Sequence, residues 1–383
     1  MKKVRLGVVG VGNMGSSHAA RIQKGEFEGC ELTAVCDIDP KRMKNIPGEV
    51  EKFTDYRKLI RAGKTDGVLI ATPHYDHTVV GIAALKAGLH VLVEKPISVH
   101  KADCERLIAA HRRKKQVFAA MFNQRTDPFF QKARQLVKNG DLGKITRVNW
   151  IITSWFRTEC YYATGDWRAT WGGEGGGVLL NQCPHQLDLL QWICGMPVRL
   201  RAFCGIGKKH NIEVEDEVTA HFEYKSGATG VFITSTGEAP GTNRLEITGD
   251  MGKLVAENDT LRFTRNEMPV SKFCRQTKKS FAVPEVWNIE IPVRGHGGQH
   301  GEIIRNFVDA IRKGKRLIAP AKEGIHSVEL ANAMLYSSLT GKPVTFPLDA
   351  AAYERRLKKL IRESKFVKKT AGKKVKEDIS DSF

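Results

Sequence analysis

The sequence predicts an α/β protein: a doubly wound parallel sheet at the N-terminus, then an α+β domain built on a large, mostly antiparallel open sheet. Three observations carry this. In the first hundred or so residues, short apolar runs alternate with helix-like stretches at the pace of βαβ units. Beyond Asn123 the pattern becomes one of alternating strands joined by hairpin-like turns. At 383 residues the chain is also long for one core. Residues 1–123 therefore read as one domain, 124–349 as a second, and 350–383 as a basic C-terminal helix and tail.

The first apolar strand, residues 6–11, runs into Gly10-Val11-Gly12-Asn13-Met14-Gly15 and a helix-like stretch at 16–24. Glycine at the first two positions lets the backbone turn sharply and a pyrophosphate approach, and the third lets helix and strand pack closely. The helix start offers N–H groups and a positive dipole end to phosphates. A second strand, 32–36, ends in Asp37 about twenty residues past the glycines, where a carboxylate accepts both ribose hydroxyls and repels a 2′-phosphate. NAD is favoured, although Lys41 and Arg42 lie near enough to keep NADP admissible. The bland alternative for Asp37 is a turn cap before Pro40.

A strand at 67–71 ends in Thr72-Pro73-His74-Tyr75-Asp76-His77, an Ala-rich helix follows at 79–87, and a strand at 90–93 ends in Glu94-Lys95-Pro96. Ligands of such sheets bind outside the carboxyl ends of strands, which is where Thr72, His77, Glu94 and Lys95 fall. In the second domain, strands are expected at 144–156, 199–205, 217–224, 227–235, 244–249 and 260–265, closed by helices at 301–313 and 323–339. An open sheet with one uncovered face needs a cover, so a homodimer or homotetramer is expected.

Composition narrows the function classes. Apolar runs fall well short of the roughly 18 residues that span a bilayer, and the lysines before the first strand do not make it a signal peptide. Eight scattered cysteines without a Cys-x-x-Cys pair suit a reducing cytoplasm. Much of the net charge of +19 sits in the run Arg355, Arg356, Lys358, Lys359, Arg362, Lys365, Lys368, Lys369, Lys373, Lys374 and Lys376. Such a run reads as a solvated end, dispensable beyond about Lys365, and no nucleic-acid motif accompanies it.

The segment GGEGGGVLLNQCPHQLDLL, 172–190, delivers polar groups to an apolar place. Gly175, Gly176 and Gly177 permit close approach to a ligand or another backbone, and 178–180 starts like a buried strand. Asn181 is expected to cap a helix over 182–193, with Pro184 tolerated in its first turn. Asn181, His185 and Asp188 would share one face, held by buried Leu187, Leu190 and Trp192. A core histidine without a chemical role is the alternative for His185. Cys183 and His185 with His296 and His300 form a poor metal set, because Cys-x-His spacing does not suit two ligands on one helix, so no metal is expected.

The motifs GVGNMG, ATPHYDH, AGLHVLVEKPIS and GGGVLLNQCPHQLDLLQWICG, in this order, resemble the Gfo/Idh/MocA oxidoreductases over residues 1 to about 349. The resemblance implies a nucleotide-binding domain followed by a substrate and oligomer domain, and oxidation or reduction of a ring hydroxyl or ketone of a sugar or cyclitol with a nicotinamide cofactor. It implies Lys95 and His185 as catalytic residues. Family members usually carry Asp where this chain has Asn181, and an amide hydrogen-bonds but takes no proton, so the base role passes to His185. Trp167 and Arg168 in DWRATW resemble the family's pocket loop, and 295–300, with His300, reads as a substrate-side loop. Two other classes stay open: a nucleotide-sensing regulator without chemistry, and a redox glycosidase or lyase in which NAD oxidises a ring hydroxyl ahead of elimination.

Overall fold

In the computed structural model residues 2–368 are described, and the chain falls into two compact units: Met1–Asp127 with His296–Glu329, and Pro128–Gly295 with Leu330–Phe383. The first opens with β1 (Val4–Val9), α1 (Asn13–Gln23), β2 (Cys30–Cys36), β3 (Glu51–Phe53), α2 (Tyr56–Arg61) and β4 (Gly67–Ile70). It continues with α3 (His74–Ala87), β5 (His90–Val93), α4 (Lys101–Ala110) and β6 (Phe118–Ala120). The six strands are parallel, in the order β3-β2-β1-β4-β5-β6. Their runs VRLGVV, GVLI and HVLV are almost wholly buried, as a sheet covered on both faces requires. Strand order reverses between β1 and β4, which opens a crevice at their carboxyl ends.

The second unit contains α5 (Pro128–Asn139), β7 (Ile145–Ile152), α6 (Glu159–Tyr162), α7 (Pro184–Cys194), β8 (Arg199–Ile206), β9 (Glu215–Glu223) and β10 (Thr229–Ser235). Then come β11 (Asn243–Gly249), β12 (Gly252–Glu257), β13 (Thr260–Asn266), α8 (Val270–Gln276) and β14 (Val286–Ile291). The chain next returns to the first unit as α9 (Gln299–Lys313), continues as α10 (Ile325–Thr340), and ends in β15 (Val344–Thr345) and α11 (Ala350–Glu363). The nine-stranded sheet runs β14-β13-β12-β11-β7-β10-β9-β8-β15, parallel at β7 and β10 and antiparallel elsewhere. β9 shows the half-buried alternation: Val218, Ala220 and Phe222 point into the core, while Thr219 and His221 are exposed. No helix among the described residues is long and apolar enough to cross a membrane.

Two expectations change here. The helix expected at 301–313 forms, but it closes the first unit, where Ile303, Ile304, Phe307 and Val308 join the core of β1, β4 and β5. The run 178–180 is fully buried but folds as turns, with Leu180 N–H and Asn181 N–H both donating to the Gly177 carbonyl. The basic run begins inside α11, an amphipathic helix anchored by Tyr353 and Leu357 and capped by Asp349, whose carboxylate accepts from Ala352 N–H. Lys369, Lys373, Lys374 and Lys376 lie outside the described residues.

Candidate active site

In the first unit the glycine turn follows from contacts. Gly10 has φ +88°, and a Cβ there would stand 2.6 Å from the Ala71 carbonyl oxygen, while a Cβ on Gly15 would stand 1.8 Å from the Gly10 oxygen. Any other residue at either position would push β1, α1 and β4 apart. Around Gly12, by contrast, the nearest atom to an added Cβ is an Arg42 guanidinium nitrogen at 3.4 Å. The turn is thus closed by backbone behind and met at Gly12 by the end of one long side chain, and Asn13, Met14 and Gly15 form the first turn of α1, with Gly12 at its cap.

Asp37, directly after β2, is 7% exposed and accepts two main-chain N–H groups: Val11 at 2.7 Å on Oδ2 and Asp39 at 2.9 Å on Oδ1. These charge-assisted bonds fix the carboxylate at the rim of the glycine turn, each oxygen keeping a further lone pair. Arg42 comes to 4.0 Å from Asp37 Oδ2 and is half exposed. At the end of β4 the Thr72 hydroxyl is buried without a hydrogen-bond partner. That orphaned group, the glycine turn with no backbone crowding Gly12 and the oriented Asp37 fit a dinucleotide. Asp37 and the α1 N-terminus would hold its ribose and phosphates, with Thr72 further along the crevice.

His77 departs from the expected cofactor contact. It is 1% exposed, with ring nitrogens 2.8 Å from the carbonyl oxygens of Pro96 and Thr72, so it ties together the ends of β4 and β5. Burial pulls its pKa down, and as a neutral ring it donates to one of the two carbonyls.

Glu94, after β5, is also committed: its Oε1 lies 2.8 Å from His18 Nε2 on α1. Burial opposes ionisation of Glu94, but His18, then His300 and Lys95, outweigh it and bring the carboxyl down to about 2. His300 lies in the first turn of α9, not on a loop, and its ring sits 5.6 Å from that of His18. Burial, with His18, Lys95 and Arg21 adding and Glu94 opposing, pulls His300 down to about 4. A buried carboxylate flanked by two imidazoles is therefore what precedes half-buried Lys95.

In the second unit the expected helix begins two residues late. α7 starts at Pro184, its N-cap is Cys183, whose side chain makes no capping bond to the helix, and Asn181 is not the cap. The Asn181 amide instead donates from Nδ2 to Glu174 Oε1 in a short hydrogen bond, and its Oδ1 stands 3.4 Å from the Tyr161 hydroxyl. That hydroxyl also accepts from Arg168 Nη1 at 2.6 Å and from Gln182 Nε2 at 3.1 Å. Glu174 is 1% exposed and accepts Ala169 N–H at 2.5 Å; burial raises its pKa despite Arg168, Ala169 N–H, Asn181 and Lys368. Half-buried Trp167 flanks the Arg168 guanidinium, which lies 5.0 Å from its ring centroid and 4.3 Å from that of Tyr161.

The glycines do serve close approach, and to a backbone: a Cβ on Gly177 would stand 2.0 Å from the Glu215 carbonyl oxygen, against which Val178 N–H bonds at 3.0 Å. His185 sits in the first turn of α7, buried, with buried Asp188 one turn on. Leu187 and Leu190 are buried as expected, whereas Trp192 is half-buried beneath the Arg134 guanidinium at 4.4 Å. Sequence reasoning missed His18, Tyr161 and Glu174. A signal existed for Glu174, the one charge within Gly172–Gly177, placed ahead of a fully apolar run.

Residues 4–122 match the model of an oxidoreductase family with an NAD-binding Rossmann fold, and residues 130–255 match a GFO/IDH/MocA C-terminal domain. A myo-inositol 2-dehydrogenase of Thermotoga maritima is 30% identical over 266 residues, which is 67% of this chain and 75% of the relative. An uncharacterized oxidoreductase of Bacillus subtilis, YrbE, is 25% identical over 90% of this chain and 97% of its own. Among solved structures, a WlbA dehydrogenase of Chromobacterium violaceum in complex with NADH and UDP-GlcNAcA is 26% identical. It superposes with a TM-score of 0.78 over 91% of this chain and 97% of its own.

Proposed function

We propose that this chain, which belongs to the Gfo/Idh/MocA oxidoreductases, moves a hydride between NAD and a ring hydroxyl or ketone of a sugar, glycoside or cyclitol. The observation that carries the reading is the set Tyr161, Arg168, Asn181 and Gln182, joined by hydrogen bonds just ahead of the buried first turn that holds His185. Amide, guanidinium and phenol groups beside an indole suit a polyhydroxylated ring, whose edge needs donors and acceptors and whose face stacks on Trp167. The relative named for myo-inositol and the neighbour crystallised with a nucleotide sugar support the same class.

Bound NAD supplies the hydride acceptor. In our reading His185 takes the hydroxyl proton as the carbon gives up hydride, Lys95 stabilises the negative charge growing on that oxygen, and Asn181 contributes a hydrogen bond held by Glu174. A screen of NADH formation over hexoses, glycosides and inositols tests the assignment. Turnover of one class supports it, cleavage of an aryl glycoside moves it to oxidation with elimination, and NAD binding without any turnover overturns it in favour of a sensor.

Asp37 sets the expected nucleotide preference. Titration with both nucleotides should show tighter NAD binding, and Asp37→Ala should narrow the gap by about 1–2 kcal/mol, the scale of a lost charge-assisted bond, with Arg42 left to meet a 2′-phosphate. Tighter NADP binding by the unaltered chain would overturn that preference.

The nine-stranded sheet supports assembly as a homodimer or homotetramer through its outer face, where Phe203 on β8 is 62% exposed. Sedimentation at micromolar concentration should give twice or four times the mass of 42.7 kDa. A monomer there would exclude it.

A further inference from the structure

Residues 163–174 of the second unit carry Trp167 and Arg168 with little regular structure to support them. Ala169 adopts φ +57°, a left-handed conformation that costs a non-glycine residue on the order of 1 kcal/mol, so surrounding contacts must hold it. One contact is internal, Ala169 N–H to Glu174. Others come from the far end of the chain.

After α11 the backbone turns back, and Lys368 Nζ donates to the carbonyl oxygens of Gly165 at 2.5 Å and Arg168 at 2.7 Å. Glu213 is shared between the two segments: Oε1 accepts Trp171 N–H at 2.9 Å, and Oε2 accepts the Ser364 hydroxyl in a short bond. Phe366 and Lys368 complete a small cleft with Tyr162, Arg168, Asn211 and Ile212. Burial pulls the Lys368 ammonium down to about 8, with Arg168 adding to the shift and Glu174 and Asp166 opposing it, as befits a group leaving water for a seat on protein. A lysine that served only solubility would keep its rotamer freedom, worth roughly 2 kcal/mol, instead of spanning two main-chain carbonyls. Lys368 is therefore seated on protein, where a solvated end was expected.

We infer that Lys368 is a positioning residue for substrate: the C-terminal segment from Ser364 to Lys368 straps the Trp167–Arg168 loop so that the Arg168 guanidinium stays on Tyr161. The inference rests on the sugar-binding role proposed for that loop, but its first test does not. In the full chain carrying Lys368→Met, amide hydrogen exchange across 164–173 should speed up by about tenfold or more, the effect of losing two hydrogen bonds to a charged group. The melting temperature should stay close to that of the parent. With a substrate found in the NADH screen, KM should rise by about the same factor while kcat changes little, and Lys368→Arg, which keeps charge and donors, should restore most of the loss.

Unchanged exchange in Lys368→Met overturns the strap. Faster exchange with an unaltered KM overturns its role toward substrate. If the screen finds no substrate, exchange alone still decides the strap, so failure of the proposed function and failure of this inference are told apart.

Discussion

Replacing His185 by alanine should lower turnover by about a hundredfold or more and leave NAD affinity nearly unchanged, because removal of a positioned general base carries a penalty of that size. The cost belongs in kcat, since the proton leaves the hydroxyl only as hydride departs. Lys95→Ala should cost a similar factor by leaving the developing charge on oxygen without a cation, and Asn181→Ala should cost less than either. Lys95 follows a carboxylate held ionised by His18, so Lys95→Ala also leaves Glu94 nearer to uncompensated negative charge. Stopped-flow measurement of NADH formation separates these effects from product release. Near-normal turnover of His185→Ala across a working range of about pH 6 to 9, chosen around the ordinary imidazole pKa, would make the histidine structural and end the assignment.

Asn181→Asp, the change that restores the residue usual in the family, should destabilise this protein, and increasingly so as pH rises. The substitution replaces a donor with a carboxylate facing buried Glu174, whose pKa burial already raises. Two carboxylates in one water-poor site hold a proton between them. Their folded-state pKa then stands above the unfolded value, so the native state is favoured while the pair keeps its proton. That advantage is lost as pH climbs from the unfolded carboxylate pKa of about 4.3 through the folded one. Relative to the parent, the loss should be small near pH 5 and about 2–4 kcal/mol at pH 8, by thermal or denaturant unfolding. Adding Glu174→Gln transposes amide and carboxylate across the same bond and should recover most of it. That double variant also places a charge close in sequence to His185, so the acid limb of its kcat profile should move to higher pH. A loss equal at both pH values, or no recovery in the double variant, would refute the pairing.

Where the chemistry is local, the sequence was a good guide. The glycine turn, Asp37 at the end of β2 and the acid-lysine pair after β5 are each fixed by a strand end and its next few residues, and they lie where strand periodicity puts them. β12 and β14 were not read. Gly252 opens the first immediately after β11, and exposed Val286 and Trp287 blur the alternation of the second. The helix cap failed for a physical reason: the Asn181 side chain turns to Glu174 and Tyr161, its Nδ2 donating to the buried carboxylate seven residues earlier and its Oδ1 accepting from the phenol, so that oxygen is engaged away from the helix N–H groups. His18 could not be matched with Glu94 from spacing, since 76 residues separate partners that the sheet brings to 2.8 Å.

The return of α9 to the first unit has a consequence for how the chain is made. Synthesis runs from the N-terminus, yet Ile303, Ile304, Phe307 and Val308 belong to the same core as β1, which begins at Val4. A nascent chain that has finished β6 still lacks that layer of side chains, and it waits with apolar surface uncovered while the residues from Pro128 to Gly295 are translated. The nucleotide-binding fold is therefore completed late, after the intervening unit has emerged. A fragment cut at the end of the N-terminal family match would carry the glycine turn and Asp37 on an unfinished core, so its cofactor affinity should fall for want of residues some three hundred positions away from the motif that announces it.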